Sequence, residues 1–529
     1  MSVLRRKSIE TVLHQDDDED HAHLKKDLGV KDLIGFGIGI VIGTGIFTLT
    51  GLQAKENAGP AVMISFVIAG VVALLAALCY AELASAVPTA GSSYTYAYST
   101  IGEIFAWIIA WDLILEFALG AAVVSRGWSG YVAGVFGLPS KWFAEEGSVV
   151  NLGAIFIAVL LGVVAIRGIR ESKWVTNGLV LIKVLVCVFV IVVGVFYIKT
   201  DNLVPFIPPA QHSESTGSRL TSPLWQAITG IEPSTFGVAG VFVAAAVVFF
   251  AYSGFEAVAN LGEETKKPAR DMPLGLLGTL AICTVLYVGV CLVVTGMVEY
   301  SKLSEGDAVA DVFHQVGLPW VGILVGIAAV AGLSSVILVD IVAMGRIGFA
   351  LARDGLLPPV FSRVHPRWGT PVLMTSLTVG AVALLAGFIP ISVLAEMVSI
   401  GTLFAFVVVS IAVVVLRRTD PDMERPFRTP LVPALPIVSV LACAGLMASL
   451  AVETWLRFLA WLVIGLIVYV VYSYRHSHLG TRGSGPVLTP TPFMGEPGES
   501  GGAGGDEASS RGRAPGASAP DDDGRGGVR

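Results

Sequence analysis

Apolar runs of about 20 residues, the length a helix needs to cross a bilayer, recur along most of this chain. With no water in the hydrocarbon, each helix must pair its backbone N–H and C=O groups within itself. The chain is 54% hydrophobic and 14% charged. That excludes an ordinary soluble protein, which carries about a quarter charged residues. Twelve spans are read, near 32–55, 60–86, 102–136, 149–167, 174–198, 236–262, 273–298, 318–350, 370–388, 391–416, 433–451 and 455–474. The third and eighth exceed an upright crossing and are expected to tilt or to extend beyond the hydrocarbon. The net charge of −7 says nothing about partners, because much of it lies in the acidic runs 16–20 and 521–523.

Loop charges set an expected orientation. Arg5, Arg6, Lys7, Lys25, Lys26 and Lys31 precede the first span, and Arg167, Arg170 and Lys173 separate the fourth from the fifth. Lys266, Lys267 and Arg270, then Arg353, Arg363 and Arg367, then Arg417, Arg418, Arg425 and Arg428 fall on the same side if twelve spans alternate. The opposite loops carry chiefly Lys141, Lys199, Arg219 and Lys302. The excess of basic residues on one side places both termini in the cytoplasm of a multi-pass plasma-membrane protein. The polar segment before the first span has no signal-peptide pattern. The expected organisation is a cytoplasmic tail over residues 1–30, a twelve-span membrane domain over 31–475, and a disordered cytoplasmic tail over 480–529. The last is rich in Gly, Ser, Pro and charge and has few residues to bury. The five cysteines, at positions 79, 187, 283, 291 and 443, all fall in apolar spans without metal-ligand spacing and read as small buried residues.

Two spans are interrupted. The first contains GFGIGIVIGTGIF at 35–47, with Gly43-Thr44-Gly45 near mid-membrane, and the sixth contains FFAYSGFEAVANLGEE at 249–264. A broken helix frees backbone groups, which is tolerated only where they line a cavity or bind something. Glycine lowers the steric cost of leaving helical geometry and lets a ligand approach the backbone. The half-helix beginning near Ile46 presents unpaired N–H groups and a positive dipole end, which suits a carboxylate. Free carbonyls around Phe250, Ala251 and Ser253 suit an ammonium group. Together they fit the backbone of an α-amino acid, and paired interrupted spans in two halves point to a transporter's substrate site. The competing reading is close helix packing through small residues. A dinucleotide-binding loop is excluded, since Ile42 stands where the third glycine belongs and no soluble strand–turn–helix surrounds it.

The runs GIGIVIGTGIF, FFAYSGFEAVANLGEETKKPARDMP and RIGFALARDGLLP (346–358) resemble the amino acid–polyamine–organocation superfamily. Within it they are most similar to the bacterial branch of the cationic amino acid transporter family, over roughly residues 28–475. The resemblance implies an all-α membrane protein with the LeuT-like fold. Spans one to five and six to ten would form inverted repeats, with two further helices. It also implies alternating access to a site between the breaks. The substrate carboxylate would rest on Ile42, Gly43, Thr44 and Gly45. The amino group would meet the carbonyls of Phe250, Ala251 and Ser253, with the Phe250 ring as a gate. Relatives often carry an aliphatic residue in place of Ser253.

Charged side chains in the bilayer interior are costly and mark function. Lys183 lies within VLIKVLVCVFV of span five. Burial disfavours its charged form and makes it a candidate for proton exchange. The resemblance implies the same, because proton-coupled relatives place a lysine here where sodium-coupled ones bind their ion. The alternative is a lysine snorkelling to the surface. Glu116 in span three is a partner for Lys183, a proton relay, or a structural hydrogen-bonder. Asp112 lies one turn earlier and is expected to face the cytoplasmic vestibule. Asp340 in span eight stands where relatives usually have a methionine or a small polar residue, and that face lines the far end of the pocket. An ionised Asp340 favours a basic side chain. A second proton carrier, or a salt bridge to Arg346 or Lys183, is the alternative. Arg126 is expected to pair with an acid near the outer mouth, Glu396 to be structural or part of an outer gate, and Glu263 and Glu264 to tie inner helix ends through Lys or Arg.

The expected function is a secondary active amino acid permease, coupled to protons and preferring arginine, lysine or ornithine. The alternatives are an exchanger, a permease for small neutral amino acids, or an amino acid sensor without flux. No enzyme is expected, because no nucleophile–base pair, metal cluster or phosphate loop is evident outside the spans. No cofactor other than the coupling proton is expected. The partners are substrate and membrane lipid, without nucleic acid. A disulfide-linked heavy chain is discounted because the 137–148 loop has no cysteine.

Overall fold

The computed structural model of the chain describes residues 27–86, 92–143, 150–168, 173–212, 220–232, 234–262 and 264–477. The tails expected at 1–30 and 480–529, apart from residues 27–30, lie outside the described residues, as do Arg170 and Glu263. Each apolar run folds as helix. The spans contain α1 (Val30–Val41), α2 (Val62–Ala86), α3 (Glu103–Phe136), α4 (Leu152–Ile166), α5 (Lys173–Gly194) and α6 (Gly237–Val248). They continue with α7 (Pro268–Met297), α8 (Pro319–Arg353), α9 (Val372–Phe388), α10 (Ile391–Thr419), α11 (Ala434–Ala448) and α12 (Val452–Val468). Local chemistry sets several ends. The Asn151 side chain accepts from the Ala154 N–H and caps α4. Proline stands at the start of α7 and α8, where its missing N–H costs nothing. Gly137, left-handed at φ +61°, closes α3. The described loops hold one two-residue antiparallel pairing, Gln211 with Thr235 and His212 with Ser234.

Among the described residues, eight helical runs are individually long and apolar enough to span a bilayer, and α4, α9 and α11 are shorter apolar helices. The lengths repeat at an offset of five. Both α1 and α6 are first halves of broken spans. The third members α3 and α8 have 34 and 35 residues, the fourth members α4 and α9 only 15 and 17. This is the all-α, LeuT-like arrangement, with α11 and α12 outside the repeats. Glycine lets the helices approach closely, as membrane packing requires. A Cβ added at Gly37 would strike Thr279 of α7, one at Gly162 would strike Val379 of α9, and one at Gly194 would strike Val293 of α7. On α12, Trp461 and Trp111 of α3 stack at 4.6 Å and donate to each other's backbone carbonyls. The opposite side of α12 exposes Leu459, Val463 and Ile467, an apolar exterior suited to lipid.

The two ends of the described chain meet the same face. Leu28 bridges Thr265, so the start of the first span is tied to the end of the sixth through backbone bonds to Glu264 and Lys266. Ser477 donates to Glu103 at 2.7 Å. On this terminal face, Arg417 of α10 makes a two-pronged bond to the buried Glu82 of α2 at 3.0 and 2.7 Å. The Thr429 N–H adds a third donor to the same carboxylate. On the far face, the loop before the short helix Ala308–Gln315 presses between the first span and α3. Thr48 donates to the Gly306 carbonyl at 3.2 Å, and Lys55 pairs with Glu305 at 2.9 Å.

Candidate functional site

Both breaks fall at mid-helix, and they touch. After Val41 the chain leaves the helix at Ile42 (φ −75°, ψ 98°) and re-enters through the π-helical turn Gly45–Leu49. In the sixth span, α6 tightens into a 3₁₀ turn at Phe249–Tyr252 and opens at Ser253 and Gly254. Gly254 is left-handed at φ +93°, which glycine adopts without strain. A Cβ at Gly45 would lie 2.5 Å from Ala251 Cα and closer still to its Cβ, so only glycine permits this approach. The two breaks bound a small cavity of about 40 Å³. Ile40, Gly43, Thr44 and Gly45 line one side; Phe250, Ala251, Ser253 and Gly254 line another. Glu116, Phe117, Gly120 and Val124 come from α3, Val336 and Asp340 from α8, and Val398 from α10.

The broken ends explain the polar groups around them. A helix leaves its last four carbonyls without partners. Here the Lys183 Nζ donates to the Gly39 carbonyl at 2.6 Å, and the Tyr287 hydroxyl lies 2.6 Å from the Val41 carbonyl. The negative end of α1's dipole thus faces an amine. Lys183 is 1% exposed, so it does not snorkel. Beyond the break, the new helix start offers N–H groups, and the buried Thr44 hydroxyl has no protein partner. In the sixth span the carbonyls are already approached from within. Ser253 donates to Phe250 through both N–H and hydroxyl, at 3.1 and 2.8 Å, and Tyr287 reaches the Ala251 carbonyl at 3.0 Å. Both lone pairs of the Phe250 carbonyl are thus engaged, while the Ala251 carbonyl keeps a second one for a ligand.

The buried acids occupy places that spacing alone did not reveal. Glu116 accepts from Thr402 of α10 at 2.8 Å and meets Glu256 of the sixth span, not Lys183. Glu256 in turn accepts from the Gly254 N–H at 3.1 Å, which holds the break open. Asp340 lies within electrostatic reach of Lys183, and a Cβ added at Gly120 would lie 3.1 Å from its Oδ2. Asp340 therefore packs against α3 one turn beyond Glu116. Asp112, expected to face a vestibule, is fully buried against Gly401 of α10, and neither carboxyl oxygen has a protein partner. The Arg126 guanidinium donates to the Ala386 and Gly387 carbonyls, capping the end of α9. Glu396 accepts from Thr454 and joins α10 to α12. All five cysteines are buried and unbridged. Among residues absent from the sequence reading, Tyr287, Glu256, Ser399 and Glu82 stand out. Ser399 of α10 accepts from the Phe250 N–H at 3.1 Å. The FEAVAN motif contained the signal for Glu256, an acid two residues past the glycine of the break. A tyrosine or serine inside an apolar helix carries no such signal.

On the far face, the Asp307 carboxylate accepts from Ser304 at 2.6 Å and fills the space beside Gly134 of α3. Burial holds this carboxyl above the usual carboxylate range.

Comparison with known proteins agrees with the geometry. The profile of a family described as amino acid permease matches residues 28–476. The chain is 42% identical to a methylthioribose transporter of Bacillus subtilis (strain 168), over 90% of this chain and 99% of that one. It is also 42% identical, over the same shares, to the branched-chain amino acid permease BcaP of that organism. Vacuolar cationic amino acid transporter 4 of Arabidopsis thaliana is 37% identical, over 80% of this chain and 68% of its own length. A twelve-span helical chain with two touching mid-span breaks, matched along its whole described length, belongs to the amino acid permease family of the amino acid–polyamine–organocation superfamily.

Proposed function

We propose that this protein is a proton-coupled symporter of amino acids with a preference for arginine, lysine or ornithine, working in the plasma membrane with both termini cytoplasmic. The permease domain spans 31–475, between tails at 1–30 and 480–529. One observation carries the reading: the cavity between the breaks has acids on its side-chain wall, Glu116 and Asp340. A buried carboxylate lowers the cost of burying a basic side chain and raises it for a large apolar one. The substrate carboxylate rests on the N–H groups of Gly43, Thr44 and Gly45, with Ile42 shaping the turn. Its amino group meets the carbonyls of Phe250, Ala251 and Ser253, the Ser253 hydroxyl turning away from Phe250 to make room, and the Phe250 ring covers it. Lys183 is the coupling group. When protonated it donates to Gly39 and draws α1 toward α5; when neutral it releases that hold. Glu116 is the second proton-bearing group, holding its proton when no cationic side chain occupies the cavity.

A second reading has its own support. Phe117, Val124, Val336 and Val398 make much of the cavity wall apolar. The relative named for branched-chain amino acids is more similar to this chain than the plant cationic transporter cited above. A neutral amino acid would then be the substrate. Uptake of labelled arginine, alanine and leucine by liposomes, with and without an inward proton gradient, separates the readings. The proposal expects gradient-driven arginine uptake that Asp340→Ser abolishes while sparing alanine. Equal loss of both, or uphill uptake retained in Lys183→Ala, overturns the specificity and the coupling respectively.

A further inference from the structure

We propose that Glu116 and Glu256 hold one proton between them and exchange it for the positive end of a basic side chain, so that a cationic substrate releases a proton that a neutral substrate leaves in place. This rests on the cationic reading above and names the second group that meets the side chain.

The geometry starts from a contact between two acids. The Glu116 and Glu256 side chains lie within hydrogen-bonding reach of each other. Ionised carboxylates only accept, so a bond between them requires one shared proton. The surrounding donors serve both groups. Thr402 donates to Glu116, and the Gly254 N–H bonds to Glu256. The titratable groups around the pair, among the described residues, are Asp112 on the same face of α3, Asp340 on α8 and Lys183 on α5. Lys183 is the base of this group, and it lies within electrostatic reach of Asp340. Its charge offsets that of Asp340. A second cation arriving in the cavity therefore needs a further negative charge, and the pair supplies one by losing its proton.

The exchange balances. A carboxyl and a carboxylate, net charge −1, meet a guanidinium or ammonium of charge +1. The O–H bond breaks, the proton passes to water on the open side, and two carboxylates hold the cation, again with net charge −1. The buried charge is unchanged, which a low-dielectric site favours over adding charge. Glu116 lines the cavity. It lies one helical turn, about 6 Å, from Gly120, against which Asp340 packs. A long basic side chain reaching Asp340 thus passes Glu116. Asp112, one turn the other way with both oxygens unpartnered, is the next acceptor toward the terminal face.

The test is calorimetric titration of the full-length protein in detergent with arginine and with alanine, in phosphate and in Tris at neutral pH. The buffers' different ionisation enthalpies report protons released per ligand bound. The expected result is about one proton per arginine and none per alanine. Glu116→Gln and Glu256→Gln, each keeping a donor to the remaining carboxylate, should bind arginine with release reduced to near zero. Either variant suffices if the other does not fold. Arginine binding without release, or release persisting in a folded variant, overturns this inference while the cationic reading stands. Alanine binding without any arginine binding overturns both.

Discussion

Gly45→Ala tests the central geometry. The added Cβ would lie 2.5 Å from Ala251 Cα and closer to its Cβ. Carbon atoms rest at about 3.5–4.0 Å, so the two breaks must separate by about 1 Å. Overpacking of this kind costs about 1–3 kcal/mol of stability. The larger effect falls on the ligand. If the breaks hold opposite ends of one amino acid, moving them apart by 1 Å loses a charge-assisted hydrogen bond at one end, worth about 1.5–3 kcal/mol. At about 1.4 kcal/mol per decade, affinity falls about 10- to 150-fold. Gly43→Ala is the contrast. Its Cβ would meet Val336 Cγ2 at 3.7 Å and the Ile40 carbonyl at 4.0 Å, both ordinary contacts. Equilibrium binding of a labelled amino acid to each purified variant, with the melting temperature of the same samples, gives both quantities. The reasoning is refuted if Gly45→Ala binds within about threefold of the parent, or if Gly43→Ala is equally impaired.

Three further outcomes are expected. Tyr287→Phe removes the hydroxyl between the Val41 and Ala251 carbonyls. It should cost about 1–3 kcal/mol, read as a lower melting temperature together with weaker substrate binding. Glu82→Gln leaves the Arg417 guanidinium without its buried carboxylate. Thermal unfolding should show a loss of about 3 kcal/mol, while ligand affinity, set at the distant cavity, stays at the parent value. The third concerns acidity on the far face. Asp307 has a raised native pKa, so its docked form favours the proton. The contribution is full below the unfolded carboxylate value of about 3.9 and is lost as pH rises through the native one. Hydrogen exchange over 303–315, corrected for intrinsic rates, should show more protection at acidic pH. Asp307→Asn should flatten that dependence; an unchanged slope would rule it out.

Lys183 shows how far the sequence could be read. Its place in an apolar run marked it as functional, because an ammonium in hydrocarbon has few tolerable environments. Its partner, the Gly39 carbonyl, was not legible, since any of the freed backbone groups could have received it. Glu116 shows the same limit. Its burial was expected, but its contact with Glu256 joins positions 140 residues apart in sequence, and no periodicity links them. Arg126 was assigned an acidic partner on the rule that charges pair. The fold presents it with the carbonyls at the end of α9, partners that the sequence pattern did not reveal.

The sequence by itself determined the helices, their number and the positions of both breaks. Those features depend on local hydrophobic runs and on glycine, which act over one or two turns wherever the segment lies in space. Tertiary structure alone decided that the breaks touch at Gly45 and Ala251, that Tyr287 and Lys183 cap the freed carbonyls, and that Lys183 comes within electrostatic reach of Asp340. Side-chain partnerships of this kind are set by which helices pack together, and the local pattern of an apolar span carries almost none of that information.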